Sequence, residues 1–334
     1  MPALHFLLAL LSVACAIIPL LGLVTALWWL DRHEREPVWV LGLTFLWGAF
    51  GATLISLLLN SGASLALAAA FGAELAGRWT PVVVAPLVEE PAKALILPLI
   101  WMSRHFDNTV DGFVYGAATG LGFAMTENLL YFWQVASLAS YDPMQGLMAW
   151  GQTVLMRTCY SAVLHASASA VLGAGLGFSR FRGTPVRLLV IPSGLLVAMA
   201  MHAAFNGLVT MGGAGIGPSW TWNLNLVLMP LEALGVFLVF QVALLAERRS
   251  ISRELRQEAE RGTLPLAHVP ILVSPLRRSG RAWCPPMVDR TAYVRTSITL
   301  GLRLRQARMR PQEAFHDEDV DRLRLELRSL LRRA

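Results

Sequence analysis

The chain has 334 residues, 55% of them hydrophobic, with a mean hydropathy of +0.53 and a formal net charge of +6. No soluble domain of this size is so apolar, and apolar runs recur from Leu4 to Ala246, which predicts an all-α polytopic membrane protein. The charge is unevenly split: residues 247–334 carry 19 Arg against 11 acids, and the rest carries 9 basic and 11 acidic residues. The basic balance is therefore a property of a tail and gives no reason to expect a nucleic-acid partner.

In chain order, the apolar runs predict about seven transmembrane helices, near 4–30, 38–59, 80–102, 110–133, 152–179, 185–210 and 221–246. The first run is too long for a signal-peptide core and lacks a basic leader, so it is expected to be retained. Residues 60–79 are Ala-rich and hold Glu74; they suit a re-entrant or surface segment, or an eighth span. Loop charges favour the non-crossing choice. With seven spans, Arg32, Arg35, Arg104, Arg180, Arg182, Arg187 and the tail fall on one side, and Arg78 alone on the other. That orientation puts the N-terminus outside and the C-terminal tail in the cytoplasm. A transmembrane domain over 1–246 is thus followed by an Arg-rich tail over 247–334. The tail reads as a charged helix over 247–261, a Pro-containing linker over 262–286 and an amphipathic helix over 319–333, with Val320, Leu323, Leu327, Leu330 and Leu331 on one side. Its basic residues could rest on anionic lipid, meet a cytoplasmic protein, or simply be solvated. Cys15, Cys159 and Cys284 are far apart in sequence and form neither a redox nor a zinc-finger pattern.

The third span contains Glu89, Glu90 and Lys93, and Lys93 is the single Lys beside 27 Arg. Each charged group at bilayer depth costs roughly 2.5–3.5 kcal/mol on insertion scales, so these residues mark a functional site by default. An ion pair is the structural alternative, since Glu89 and Glu90 stand four and three residues before Lys93. One Lys cannot neutralise both acids. Pro86, Pro91 and Pro98 predict a kinked or broken helix. The fourth span opens with Asp107, Asn108 and Asp111, a polar cap. Gly112, Gly116 and Gly120 follow as a stripe for close helix packing, and Phe123 and Glu127 share its arc. The fifth span carries His165 among Ser and Thr, where it could be catalytic or interhelical glue, and Arg157, which is expected to snorkel. Ser161, Ser167 and Ser169 show no local nucleophile grouping. The sixth span ends with His202 and Asn206 on one face. Under the topology above, Glu89, Glu90, Glu127 and His202 share the outer half of the bilayer.

The ordered set Glu89-Glu90-x-x-Lys93, Phe123-x-x-x-Glu127 and His202-x-x-x-Asn206, with His165 between, resembles the PrsW family of intramembrane proteases, within the wider group of CAAX-prenyl endopeptidases and bacteriocin-processing relatives. The likeness covers about 80–208 and leaves out the tail. The wider group more often has Arg after the paired Glu and His in the second motif; Lys93 and Glu127 point to the PrsW branch, and Glu127 leaves fewer imidazoles for a His-rich metal site. The resemblance implies a cell-membrane endopeptidase that cuts membrane-anchored proteins such as anti-sigma factors. It implies Glu89 or Glu90 as general base, with His202 and Asn206 orienting water or stabilising an oxyanion. Glu127, His165 and His202 would hold zinc or another divalent metal, or, without metal, a Glu–His pair would do the chemistry. A proton- or ion-coupled transporter is the other class that intramembrane acids suit, and a silent membrane scaffold for the tail is a third.

Overall fold

The computed structural model describes residues 2–31, 33, 35–103, 105–106, 108–213, 220–309 and 315–332. The sequence expectations for Met1, Arg32, Arg104 and Asp107 lie outside the described residues. No strand occurs among the described residues. The chain forms two compact units: Glu36–Val239 with the first helix up to Trp28, and Phe240–Ala334 with Trp29–Arg35.

The first unit is built from α1 (Pro2–Leu30), α2 (Val38–Phe71), α3 (Ala73–Trp79), α4 (Ala85–Ala94), α5 (Leu97–Trp101), α6 (Thr109–Ala136), α7 (Pro143–Ser179), α8 (Thr184–Gly213) and the start of α9 (Trp220–Glu260). Among the described residues, five helical stretches are long and apolar enough to cross a bilayer: Leu4–Leu30, Val38–Phe71, Pro143–Ser179, Thr184–Gly212 and Asn223–Glu260. The surface of this unit carries large apolar side chains such as Leu54, Leu58, Leu188 and Leu189, as lipid-facing helices require. The chain is an all-α membrane protein.

Two expected spans take other forms. Thr80–Trp101 is broken into a π turn over Thr80–Val84, then α4 and α5. The break after Ala94 follows from Pro98, which has no N–H to give the Ala94 carbonyl. α6 is long enough to cross but is rich in Gly and carries Asp111 and Glu127. Residues 60–79 are helical on both sides of one turn. α2 runs on through Asn60 to Phe71, Gly72 turns the chain at φ +91°, and α3 packs back on α2. Gly adopts that φ without a Cβ clash.

α6 is the hub, buried from Val110 through Ala124. Its start is a capping box: Asn108 Oδ1 accepts from the Val110 and Asp111 N–H groups, and the Asp111 carboxylate accepts from the Asn108 N–H. Gly112, Gly116 and Gly120 lie directly on the carbonyls of Gly173, Ser169 and His165 in α7, so that any Cβ would overlap those oxygens. On another face, Gly122 of α6 lies on the Phe45 carbonyl, and Gly48 of α2 lies on the Thr119 carbonyl.

The second unit folds around the charged end of α9, α10 (Val269–Leu272), α11 (Pro275–Ser279), α12 (Arg290–Met309) and α13 (Phe315–Leu331). Residues 262–286, expected as a linker, are folded: Leu264, Val269, Leu272 and Val273 are buried with Ile251, Leu255 and Tyr293. The apolar side of α13 joins the same core through Val320, Leu323 and Leu327, so it is occupied and not available to lie on lipid. Buried Glu258 accepts from Arg324 Nε at 2.9 Å, Arg324 Nη2 at 2.7 Å and Thr263 Oγ1 at 3.0 Å. Burial alone would raise its carboxyl, but the bonds from Arg324 and Thr263 hold it below the ordinary carboxylate range.

The glycine contacts make a stability prediction. Gly116→Val should push α6 off the Ser169 carbonyl and lower both membrane abundance and melting temperature, because overpacking a tight interface costs about 1–3 kcal/mol or more. Wild-type melting of the purified variant would show that the interface is looser than described.

Candidate active site

The close α6–α7 packing sets an antiparallel register. Each step of four along α6, from Gly112 to Gly116 to Gly120, is matched by a step of four back along α7, from Gly173 to Ser169 to His165. Continued in the same sense, the register brings Glu127 and Asn128 opposite Arg157. Arg157 Nη2 lies 2.6 Å from Glu127 Oε2, and Arg157 Nε donates to Asn128 Oδ1 at 2.9 Å. A π turn over Arg157–Ser161 stands between Arg157 and His165, and His165 Nε2 also reaches Glu127 Oε2, at 2.9 Å.

α4 supplies the paired acids. Glu89, Glu90 and Lys93 are buried, with Lys93 only 1% exposed. Lys93 Nζ donates to Glu90 Oε1 at 2.5 Å and stands 3.1 Å from His165 Nδ1. An ammonium can only donate, so Nδ1 accepts and Nε2 carries the proton given to Glu127. Glu90 Oε1 also accepts from His202 Nδ1 at 2.7 Å, which leaves the lone pair on His202 Nε2 free. Glu89 is placed differently. Its Oε1 accepts from Asn60 Nδ2 at 3.0 Å. Its Oε2 is buried without a hydrogen-bond partner and stands 3.9 Å from His202 Nε2.

Two backbone breaks hold this group in place. In the π turn the Ala85 N–H bonds the Thr80 carbonyl, so the next carbonyl, of Pro81, falls in register with Pro86, which has no N–H. Asn206 fills that vacancy, donating from Nδ2 to the Pro81 oxygen at 2.8 Å. Near the end of α4, Trp47 Nε1 donates to the Ala92 carbonyl at 3.1 Å.

These side chains open on a cavity of about 590 Å³, lined by Glu89, Glu127, Arg157, His165, His202 and Asn206 among others. Glu90 and Lys93 lie behind it. Three π turns border it: Trp47–Ala52 leads into Thr53 and Ser56, Thr80–Val84 contributes Thr80 and Pro81, and Arg157–Ser161 contributes both of its ends. Such turns often accompany functional sites. Among the described residues, Glu89, His165 and His202 form a group that could hold a metal ion, each offering one ligand atom within 4.8 Å of the others. Glu127 stands one hydrogen bond away, on His165.

The structure thus brings together all seven candidates, Glu89, Glu90, Lys93, Glu127, His165, His202 and Asn206. Two neighbours were not foreseen. Asn60 sits in the stretch expected to lie outside the bilayer. Arg157, expected to snorkel, instead forms an ion pair with Glu127, donates to Asn128 and stacks over the Tyr131 ring at 3.8 Å. The signal for Arg157 was present, since an Arg within a 37-residue apolar helix is as costly as the acids of α4. Ser161 lines the cavity, without a hydroxyl contact to Lys93 or either His among the described residues.

Residues 36–246 match the profile of a family described as PrsW family intramembrane metalloprotease. The chain is 32% identical over 197 residues to Protease PrsW of Clostridioides difficile (strain 630), covering 57% of this chain and 76% of that relative. It is 30% identical over 125 residues to Protease PrsW of Bacillus subtilis (strain 168), covering 37% and 50%. With Protease PrsW of Geobacillus kaustophilus (strain HTA426) it shares 25% over 199 residues, covering 59% and 79%. No solved structure matches. A polar, acid- and imidazole-lined cavity among apolar helices, within the matched residues, agrees with these likenesses. The chain belongs to the PrsW family of intramembrane metalloproteases.

Proposed function

We propose that this protease hydrolyses peptide bonds of membrane-anchored proteins, of the anti-sigma-factor kind, in the cavity between Glu89, His165 and His202. Its family membership does not favour the transporter alternative. The observation that carries the assignment is the partnerless Glu89 Oε2, buried and facing a free His202 nitrogen across 3.9 Å. A buried carboxylate oxygen without a partner is expensive, and here it is directed at the place where a reacting group would sit.

The residues fit a divalent metal. The 3.9 Å gap is wider than the roughly 3.3 Å that two zinc ligands span at a tetrahedral angle, so a small side-chain shift would let Glu89 and His202 hold one ion. His202 has a carboxylate behind its other nitrogen, the usual support for a ligating imidazole. When bound, such a metal supplies a Lewis acid and an acidified water. Glu89 and His202 would hold it, and His165 would complete the set by releasing Lys93 or Glu127. In this reading Glu89 takes the place that the resemblance implied for Glu127, and Glu127 with Arg157 orients His165. Glu90 is a positioning residue that fixes His202 and matches the Lys93 charge. Asn206 keeps one N–H for substrate after serving Pro81. A second reading is favoured by the fact that both nitrogens of His165 are engaged: Glu89 acts as general base beside His202 without metal.

The metal is tested by removal. Purified protein should contain about one zinc or similar ion per chain, lose cleavage on chelation and regain it on metal return. Full cleavage by metal-free protein would leave the Glu89–His202 pair alone in the mechanism.

The two acids should separate. Glu89→Gln keeps its shape and the Asn60 contact, so membrane abundance should be normal, but it loses the anion that would hold a metal or take a proton, so cleavage should fall at least about 10²-fold. Glu90→Gln strands the Lys93 cation, so abundance should fall, and adding Lys93→Met should restore abundance. A Glu90→Gln protein that is abundant and active, or an active Glu89→Gln protein, would sink this division of labour.

We further infer seven crossings with the tail in the cytoplasm, supported by the one-sided loop arginines. A single Cys placed at position 182 in a cysteine-free background should then resist an impermeant thiol reagent added outside intact cells. Ready labelling would invert the arrangement.

A further inference from the structure

We infer that the membrane-proximal end of α9 carries a binding site for the phosphate-bearing headgroup of an anionic lipid, a site distinct from the proteolytic cavity and independent of the function assigned to it. A cavity of about 690 Å³ in the second unit is lined by Leu245, Arg248, Arg249, Arg253 and Arg256 of α9, and by Val273 beyond α10. Leu245, Arg249, Arg253 and Arg256 recur at spacings of four, four and three, which puts them on one helix face. Glu260 also lines the cavity, so four cations share it with one acid.

These four arginines are exposed, and none has a hydrogen bond or ion pair among the described residues. Other arginines of the unit are used internally: Arg308 pairs with Glu254, and Arg324 and Arg261 with Glu258. Like charges four apart on a helix destabilise it, as Arg249 and Arg253 do here, and an anion in the cavity would remove that penalty. Guanidinium groups bind phosphate oxygens in pairs of parallel hydrogen bonds.

Position selects the source of the phosphate. The apolar run of α9 ends at Ala246. At roughly 1.5 Å per residue, Arg248 and Arg249 stand about 3–5 Å beyond it, and Arg253 and Arg256 about 11–15 Å beyond. A headgroup layer is about 5–8 Å deep, so the first pair lies within it, and the backbone of the second pair stands roughly 3–10 Å beyond it, from where long Arg side chains can reach back. Leu245 at the near end of the cavity is the contact an acyl chain would make, which a soluble phosphate does not require. The apolar side of α13 is not the lipid contact, because it is already in the core.

The test uses the full chain in neutral detergent and measures binding of short-chain phosphatidylglycerol, independently of proteolysis. Phosphatidylcholine of the same chain length and free glycerol phosphate are the comparisons. Arg249→Gln/Arg253→Gln/Arg256→Gln should weaken phosphatidylglycerol binding at least about tenfold, because three of the four guanidinium groups able to pair with the phosphate are gone. Arg277→Gln/Arg281→Gln/Arg295→Gln removes the same charge from exposed arginines outside the cavity and should leave binding within about twofold, because the cavity keeps all four of its guanidinium groups. If the first triple variant loses its melting transition, the single Arg253→Glu variant carries the same expectation of weaker binding. Equal losses in the two triple variants would reduce the effect to diffuse charge and overturn the site. Equal binding of phosphatidylcholine would overturn it too, as would competition by glycerol phosphate at the same concentration.

Discussion

The Lys93–Glu90 ion pair is the contact on which the site depends. Both groups are buried to 1% exposure in a helix surrounded by apolar sequence, where a lone charge of either sign would be costly. Once matched, each still has bonding capacity left. Glu90 uses it on His202 of α8, and Lys93 on His165 of α7. The pair therefore ties three helices together and sets the hydrogen-bonding state of both imidazoles. It also explains why two adjacent acids are needed. Glu90 is consumed by this work, and Glu89 is left with an oxygen facing the cavity.

The ion pair works only because backbone packing has already set the heights of the helices. Gly112, Gly116 and Gly120 let α6 lie against α7 without intervening side chains, and small residues are the usual means of such approach in membranes, where no hydrophobic force draws helices together. The same contact fixes where Glu127 meets His165 and Arg157. Proline contributes by leaving bonds unmade. Pro86 leaves the Pro81 carbonyl to Asn206, and Pro98 ends α4 one residue after Lys93. Packing, polar pairing and broken helices thus arrive at one place, the cavity.

Much of the site was legible in the sequence because charge is rare there. Glu89, Glu90, Lys93, Glu127, His165, His202 and Asn206 stand out against apolar neighbours, and the structure gathers them. Their partition was not legible. Which acid pairs with Lys93 depends on rotations that spacing alone allows either way, and the place of Glu89 beside the imidazoles follows from Asn60, which reaches it from α2. Asn60 was set aside because it falls one residue beyond the span predicted over 38–59, in a segment that the loop charges kept outside the bilayer, although the helix continues through it. The tail was read in part. Charge marked its start, and the periodic leucines marked α13, but α12 buries Thr296, Ser297, Gly301 and Gln306 along with its apolar residues, so it shows no clean apolar stripe.

The π turn between Arg157 and His165 bears on how the family's spacing is compared between chains. In a regular α-helix two residues eight apart stand about 80° from each other around the axis, and two residues seven apart about 20°. The turn takes up one residue, so Arg157 and His165 behave as if seven apart and both reach Glu127. A homologue with an uninterrupted helix would need one residue fewer to present the same face. Aligned by eye, it would show a gap beside a displaced Arg, with the geometry unchanged. The interval between these two residues is thus a variable of the helix, and the shared acid is the fixed point from which to count.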